Sequence, residues 1–91
     1  MQFRDLNEAQ ILALAITAEE EDARIYRDFA ESLRVNFAAT ADLFTKMAAE
    51  EDGHRHRLIE LYRKKFGEHI PLIRRQDVKG FVARRPSWIT R

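Results

Sequence analysis

Residues 47–54 read Met-Ala-Ala-Glu-Glu-Asp-Gly-His, and the other motifs of the chain are organised around this stretch. It places Glu51 and His54 three residues apart, a spacing at which side chains share one face of an α-helix. Apolar residues on both sides continue the pattern at steps of three and four, which predicts a helix with one buried face. A carboxylate and an imidazole therefore occupy positions where a core helix would carry hydrophobic side chains.

The buried face of this second helix is defined by six residues, which we call the second-helix seam: Phe44, Met47, Glu51, His54, Leu58 and Leu61. Polar groups on such a face need partners, because burial without them is costly. A divalent metal satisfies a carboxylate and a neutral imidazole together, and an inward-facing Glu-x-x-His is the repeating element of di-iron and di-manganese carboxylate bundles. The seam therefore predicts a metal site, with a structural accident as the alternative.

The second helix is expected from about residue 37 or 41 to residue 66. Asn36 or Thr40 is the expected N-cap, and Gly67 is expected to end the helix as a left-handed C-cap residue. Pro71 prevents the helix from continuing. The helical repeat of apolar residues is interrupted around residues 34–36, which predicts a short connection between two antiparallel helices.

The first helix is expected over about residues 8–34, with Asn7 as N-cap and Gln10 as its capping-box partner. Its buried face, the first-helix seam, again contains one acid, Glu19. The predicted members of that seam are Ala9, Leu12, Ile16, Glu19, Ala23, Tyr26, Ala30 and Leu33. The sequence thus predicts an all-α fold, a long antiparallel hairpin over residues 1–70.

Residues 71–91 form a basic C-terminal segment that contains Arg74, Arg75, Arg84 and Arg85. We interpret it as a solvated basic tail with one short helix, although these arginines could instead contact an acidic partner. Trp88 is unusual in such a tail and is expected to pack on this hairpin or on a following segment.

Composition limits the possible functions of the 91 residues. A hydrophobic content of 45% supports one small domain, and a net charge of +1 argues against bulk nucleic-acid binding. Cysteine is absent, which excludes a disulfide or a thiolate metal site within these residues. No apolar run is long enough to span a membrane, so we expect a cytoplasmic chain.

One hairpin supplies half of a di-metal site. Four-helix carboxylate bundles use a Glu from each of two helices and a Glu-x-x-His from each of the other two. Two copies related by a two-fold axis would complete this set, so we expect a homodimer or a higher even oligomer. His56 and His69 lie off the seam and are interpreted as surface residues.

Residues 15–30 and 43–54 resemble the first helix pair of the rubrerythrin branch of the ferritin-like superfamily. The similarity covers residues 8–66. Within that branch the chain is most similar to the N-terminal ferritin-like domain of membrane-bound ferritins, an erythrin fused to a vacuolar-type iron transporter. It is similar at a greater distance to the encapsulated ferritins. A second helix pair, normally in the same polypeptide, is absent from these residues.

The resemblance implies that Glu19, Glu51 and His54 are iron ligands and that Tyr26 lies beside them. Manganese or zinc could replace iron on the same ligands. The resemblance also implies roles for three further acids, which would either lie next to the ligands or guide the metal ion toward them: Glu20, Glu21 and Glu50. Alignment on Ala23 would select Glu20 in place of Glu19, whereas alignment on Tyr26 selects Glu19, which lies on the seam.

The function implied is oxidation of Fe(II) by dioxygen or peroxide at a di-iron site, in iron storage, detoxification or export. The resemblance also implies that the parent protein could carry a C-terminal transporter domain, in which case these residues would be the cytoplasmic domain of a membrane protein. Two alternatives remain open: a peroxide-reducing site of the rubrerythrin type, made less favourable by the lack of a four-cysteine electron donor, and a metal-free dimerisation hairpin.

Overall fold

The computed structural model describes residues 1–80, and in this part of the chain all regular structure is helical. Helix α1 spans Glu8–Leu33 and helix α2 spans Ala38–Phe66, and a short turn joins them into a hairpin. Two single 3-10 turns flank the hairpin, at Phe3–Asp5 and Arg75–Asp77. The predicted all-α helical hairpin is confirmed. Neither long helix has an apolar stretch long enough to cross a bilayer.

The start of α1 follows the predicted capping box. The backbone N–H of Gln10 donates to Asn7 Oδ1 at 2.8 Å, and the N–H of Asn7 donates to Gln10 Oε1 at 2.9 Å. These two bonds satisfy amide groups that have no partner inside the helix. The sequence therefore fixes this helix terminus locally.

The predicted N-cap of α2 is wrong for both candidates. The helix begins after Phe37, which makes no side-chain cap bond, and Thr40 already lies within the first turn. The N–H of Phe37 donates to the carbonyl of Leu33 at 2.8 Å, and the N–H of Ala41 donates to the carbonyl of Phe37 at 2.9 Å. These backbone hydrogen bonds run through the tight turn from one helix into the next. The start of α2 therefore does not need Asn36 as a side-chain cap.

Gly67 ends α2, as predicted, but in a different conformation. Its φ of 100° is positive and its ψ is −172°, outside the left-handed helical region. Residues other than glycine rarely adopt this combination. Its N–H donates to the carbonyl of Arg63 at 3.2 Å and closes the last turn. Glycine is therefore required here, although not as the left-handed helical cap that was expected.

Small side chains form the contact between the two helices near the turn. Ala23 and Ala30 of α1 are buried, as are Ala41 and Ala48 of α2, and each pair is seven residues apart on one face of its helix. Counted outward from the turn, Ala30 lies opposite Ala41 and Ala23 lies opposite Ala48. Alanine has a short side chain, so the helices can approach closely in this half of the hairpin.

The larger hydrophobic core lies at the other end of the hairpin. It combines side chains from both helices and from the segment that follows α2: Ala13, Leu14, Ile16, Tyr62, Ile73 and Val78. Partly buried side chains such as Leu58 and Ile59 pack against it. The fold therefore has a wide core at its open end and a narrow alanine contact at its turn.

The interpretation of the C-terminal segment as a solvated tail is wrong for residues 71–79. Ile73 and Val78 are buried in the core, and Arg75 pairs with Asp22 of α1. The N–H of Lys79 donates to the carbonyl of Met1 at 2.7 Å, which ties the segment to the start of the chain. The expected short helix is the 3-10 turn at Arg75–Asp77.

The remaining predictions for this segment concern Arg84, Arg85 and Trp88, which lie outside the described residues. The domain boundary at residue 70 stays a prediction, although Ile70, Ile73 and Val78 pack together in the hairpin core.

The capping box gives a first testable prediction. We expect Asn7→Ala to lower the free energy of unfolding by about 1 kcal/mol, because the N–H of Gln10 loses its acceptor. Asn36→Ala is the matched control, since Asn36 is exposed and caps no helix, and it should change stability by less than about 0.5 kcal/mol. Urea unfolding followed by circular dichroism measures both, and equal effects would contradict the assignment.

Candidate metal centre

Three predicted ligands meet where α1 and α2 face each other. Each of Glu19, Glu51 and His54 offers one ligand atom, and these atoms lie within 4.8 Å of one another. The Nδ1 atom of His54 is 3.4 Å from Oε2 of Glu19. The i,i+3 spacing places two of the residues on one face of α2, and the antiparallel packing brings Glu19 of α1 beside them.

The site is accessible from one side. The two glutamates are half-buried, whereas the His54 side chain is 49% exposed. The second-helix seam thus runs along the edge of the contact between the two helices, and its last member, Leu61, is also exposed. The central α2 positions that contact α1 are instead occupied by Ala41 and Ala48. The predicted α2 seam is therefore rotated partly out of the hairpin's own interface.

The Glu51 carboxyl is destabilised in its charged form. Burial is the largest cause, and a hydrogen bond with Glu19 and the charges of Glu19 and Asp22 act in the same direction, while His54 opposes them. Together they raise the pKa of Glu51 to about 7. Between pH 4.5 and about 7, Glu51 therefore keeps a proton that an ordinary glutamate would have lost.

When both glutamates are charged, no hydrogen bond offsets the negative charge on the Glu19 oxygen nearest to His54. Its Oε2 atom is buried and accepts no hydrogen bond from a fixed donor. A protonated Glu51 can donate a hydrogen bond to Glu19, but an ionised one cannot. A cation would satisfy the oxygen without that proton.

These features fit a divalent metal. Two carboxylates and one imidazole are a donor set used by iron, manganese and zinc. A cation would be stabilised here, because the ligand atoms lie close together and the buried Glu19 Oε2 atom has no hydrogen-bond partner. Glu19, Glu51 and His54 are therefore the residues that could hold the ion.

Tyr26 lies close enough to the carboxylates to feel their charge. Burial raises the pKa of its phenol, and the charges of Asp22, Glu51 and Glu19 raise it further. Its ring also contacts Phe44, with centroids 6.0 Å apart. Tyr26 is therefore a neutral aromatic neighbour of the acidic group, in the place that the resemblance implied.

The other acids that the resemblance suggested lie outside the three-residue group. Glu20 is exposed and pairs with Arg24 at 3.7 Å, and it lines a separate cavity of about 280 Å³ beside the C-terminal segment. Glu21 lines the same cavity, and Glu50 is exposed. Of the two alignments possible for α1, the geometry favours the one that selects Glu19. His56 and His69 are exposed, consistent with surface positions.

Two residues that act on the site were missed by sequence reasoning. Asp22 lies one helical turn after Glu19, and its charge contributes to the raised pKa of Glu51. Arg75 donates to Asp22 Oδ1 at 2.6 Å and to the carbonyl of Ala18 at 3.1 Å. The spacing to Glu19 could have identified Asp22, but no local signal connects it to an arginine 53 residues away.

The chain matches a known protein family. A family model described as Rubrerythrin matches residues 10–91, which is most of the chain. The match concerns the family as a whole and does not separate its membrane-bound and encapsulated branches. No curated protein and no solved structure matches the chain.

The raised pKa of Glu51 predicts how the metal-free protein responds to pH. The folded-state pKa is about 7 and the ordinary value is 4.5, so between these values the folded state binds more protons than the unfolded state. The contribution of Glu51 to stability is therefore fully present below about pH 4.5 and is lost as pH rises through about 7.

Glu51→Gln removes this titration. We expect the variant to gain stability relative to the wild type as pH rises from 4.5 to 7. Glu50→Gln is the control, because Glu50 is an exposed neighbour and its variant should follow the wild-type pH profile. Urea unfolding of chelator-treated protein across this range measures the effect. A Glu51→Gln profile parallel to the wild type would disprove the raised pKa.

A second pair of variants distinguishes Glu19 from Glu20. We expect Glu19→Ala to weaken Mn²⁺ or Fe²⁺ binding by at least about tenfold, since losing even an indirect partner of a ligand costs roughly that much. Glu20→Ala should leave the affinity unchanged, because Glu20 lies outside the group. Anaerobic calorimetry measures both affinities. The reverse ranking would mean that α1 is rotated by about 100° from the present arrangement.

Proposed function

Since this chain belongs to the rubrerythrin family, we propose that it is an iron-binding, ferritin-like domain that oxidises Fe(II) at a di-iron carboxylate site. Domains of this family typically bind iron. The observation that carries the proposal is the convergence of ligand atoms from Glu19, Glu51 and His54 within 4.8 Å. The process served would be iron storage, detoxification or export.

The residues of the site suit this chemistry. Iron held by these residues would supply the redox chemistry: each Fe(II) would lose one electron, and dioxygen or peroxide would accept it. Glu19 and Glu51 offer hard anionic oxygens, which stabilise Fe(III) more than Fe(II), and His54 adds a neutral nitrogen donor. Glu51 must lose its proton before it binds a cation, so metal binding releases a proton and strengthens as pH rises through about 7.

A single hairpin provides too few ligands for two metal ions. It contributes two carboxylates and one imidazole at a site that is open beside the exposed His54 ring. A second copy related by a two-fold axis would double this to four carboxylates and two imidazoles, the set used in di-iron bundles. We therefore include a homodimer, or a higher even oligomer, in the proposal.

The surface next to the site is apolar, as pairing requires. We define the open face as Ile25 and Phe29 of α1 with Leu43, Met47 and Leu61 of α2. Ile25 is 48% exposed and Leu43 is 55% exposed, and both lie on helix sides that the hairpin itself leaves uncovered. An apolar cavity of about 320 Å³, lined in part by Leu43 and Met47, adjoins this face. Burial of such a surface favours association.

Iron content and molecular mass together test the proposal. We expect protein purified without added metal to contain iron, at about one ion per chain, and added Fe(II) to shift the mass from one chain toward an even multiple. Fe(II) with dioxygen should be turned over faster than peroxide with an external reductant. Sedimentation, metal analysis and oxygen consumption measure these outcomes. The opposite rate ranking would favour the peroxide-reducing alternative.

Two variants distinguish a loss of dimer formation from a loss of folding. Leu43→Glu places a charge on the open face and should abolish both the mass shift and di-iron binding while helicity is kept. Val35→Glu is the matched control, because Val35 is 90% exposed in the hairpin turn and lies off the open face. A chain that binds iron tightly with no change in mass would disprove the shared site, and a paired chain without metal would favour the structural hairpin.

A further inference from the structure

The segment after α2 returns to the metal-binding region and is fixed there at several points. Ile73 and Val78 are buried in the core at the open end of the hairpin. The N–H of Phe3 donates to the carbonyl of Lys79 at 2.8 Å, and the amino terminus of Met1 donates to the carbonyl of Asp77 at 3.1 Å. The backbone around residue 75 is thereby held against α1.

Arg75 is the residue of this segment that reaches toward the ligand group. Its Nη2 atom donates both to Asp22 Oδ1, at 2.6 Å, and to the carbonyl of Ala18, at 3.1 Å. The Arg75 side chain is only 28% exposed, so this ion pair is partly shielded from water. Hydrogen bonds between charged groups are stronger and more directional than neutral ones.

Asp22 is well placed to become a ligand. It follows Glu19 by three residues, so the two carboxylates share a side of α1. Its charge raises the pKa of both Glu51 and Tyr26, so its carboxylate lies near the same acidic group. Aspartate oxygens are good ligands for hard cations. A free Asp22 would therefore compete to join the site, yet its carboxylate is directed to the guanidinium.

We propose that Arg75 is a positioning residue that holds the Asp22 carboxylate out of the metal-ligand set. This inference rests on the proposed function, because it concerns the same site. By engaging Asp22, the C-terminal segment limits the hard oxygen donors of each hairpin to two glutamates. The segment thereby sets the coordination number of the site. It also sets the metal preference, because Mn²⁺ favours additional oxygen ligands whereas Zn²⁺ accepts few ligands.

Cobalt substitution tests this directly, because the visible absorption of Co²⁺ weakens as its coordination number rises. We expect Arg75→Gln to weaken the Co²⁺ bands and to raise the Mn²⁺ affinity relative to Zn²⁺ by roughly fivefold or more. The double variant Arg75→Gln with Asp22→Asn should restore the wild-type spectrum, since the released carboxylate is gone. Arg74→Gln is the control: it removes the same charge from the same segment, but Arg74 pairs only locally, with Asp77 at 3.5 Å.

Several results would overturn the proposal. A wild-type spectrum for Arg75→Gln would show that Asp22 does not bind when released. A changed spectrum that persists in the double variant would mean that Arg75 acts through the general packing of the segment. A change in Asp22→Asn alone would mean that Asp22 is already a ligand in the wild type.

Two further checks keep the test decisive. If the glutamine variant does not fold, Arg75→Leu retains the packing of the apolar stem and removes the charge. If wild-type protein binds no Co²⁺, Mn²⁺ or Zn²⁺, both the proposed function and this inference fail. If it binds them and the Arg75 variants behave like the wild type, the proposed function stands and only the positioning role is disproved.

Discussion

Two carboxylates, Glu19 and Glu51, are held together in a partly buried helix contact, and the packing around them has to resist their separation. Burial disfavours the charged form of Glu51, and the hydrogen bond with Glu19 and the Glu19 charge disfavour it further. Replacing buried ionisable groups by well-packed apolar side chains often stabilises a protein. The pair therefore indicates that stability has been given up locally for a chemical purpose, which is common at functional sites.

The surrounding architecture compensates for this cost. At the open end, the segment after α2 adds Ile73 and Val78 to a core that two helices alone would leave exposed. Toward the turn, Ala23 and Ala48 let the helices approach closely without large side chains. The carboxylates lie between these two regions, where packing on both sides holds the helices at a fixed separation. The geometry of the acidic group thus follows from contacts that do not involve it.

The open side of the site connects its chemistry to assembly. His54 lies at the edge of the helix contact, next to the exposed hydrophobic side chains of the open face. The proposed pair of metal ions needs more ligands than one hairpin offers, and a second hairpin would supply them and cover the apolar surface in one interface. Arg75 acts in the opposite direction, because it occupies the nearby Asp22 and keeps that acid from adding to the ligand set.

Both helices, the capping box at Asn7 and the three residues that meet at the candidate metal site could be predicted from sequence. Each depends on spacings of three and four residues along one helix. Those spacings singled out Glu19, Glu51 and His54, since acids and imidazoles are conspicuous on an apolar face. Sequence reasoning failed where backbone geometry replaced a side-chain cap, as at Asn36. It also missed contacts between residues far apart in the chain. Only the tertiary structure buried Ile73 and Val78, paired Arg75 with Asp22 and rotated the second-helix seam to the edge of the hairpin, because each depends on where the chain returns in space.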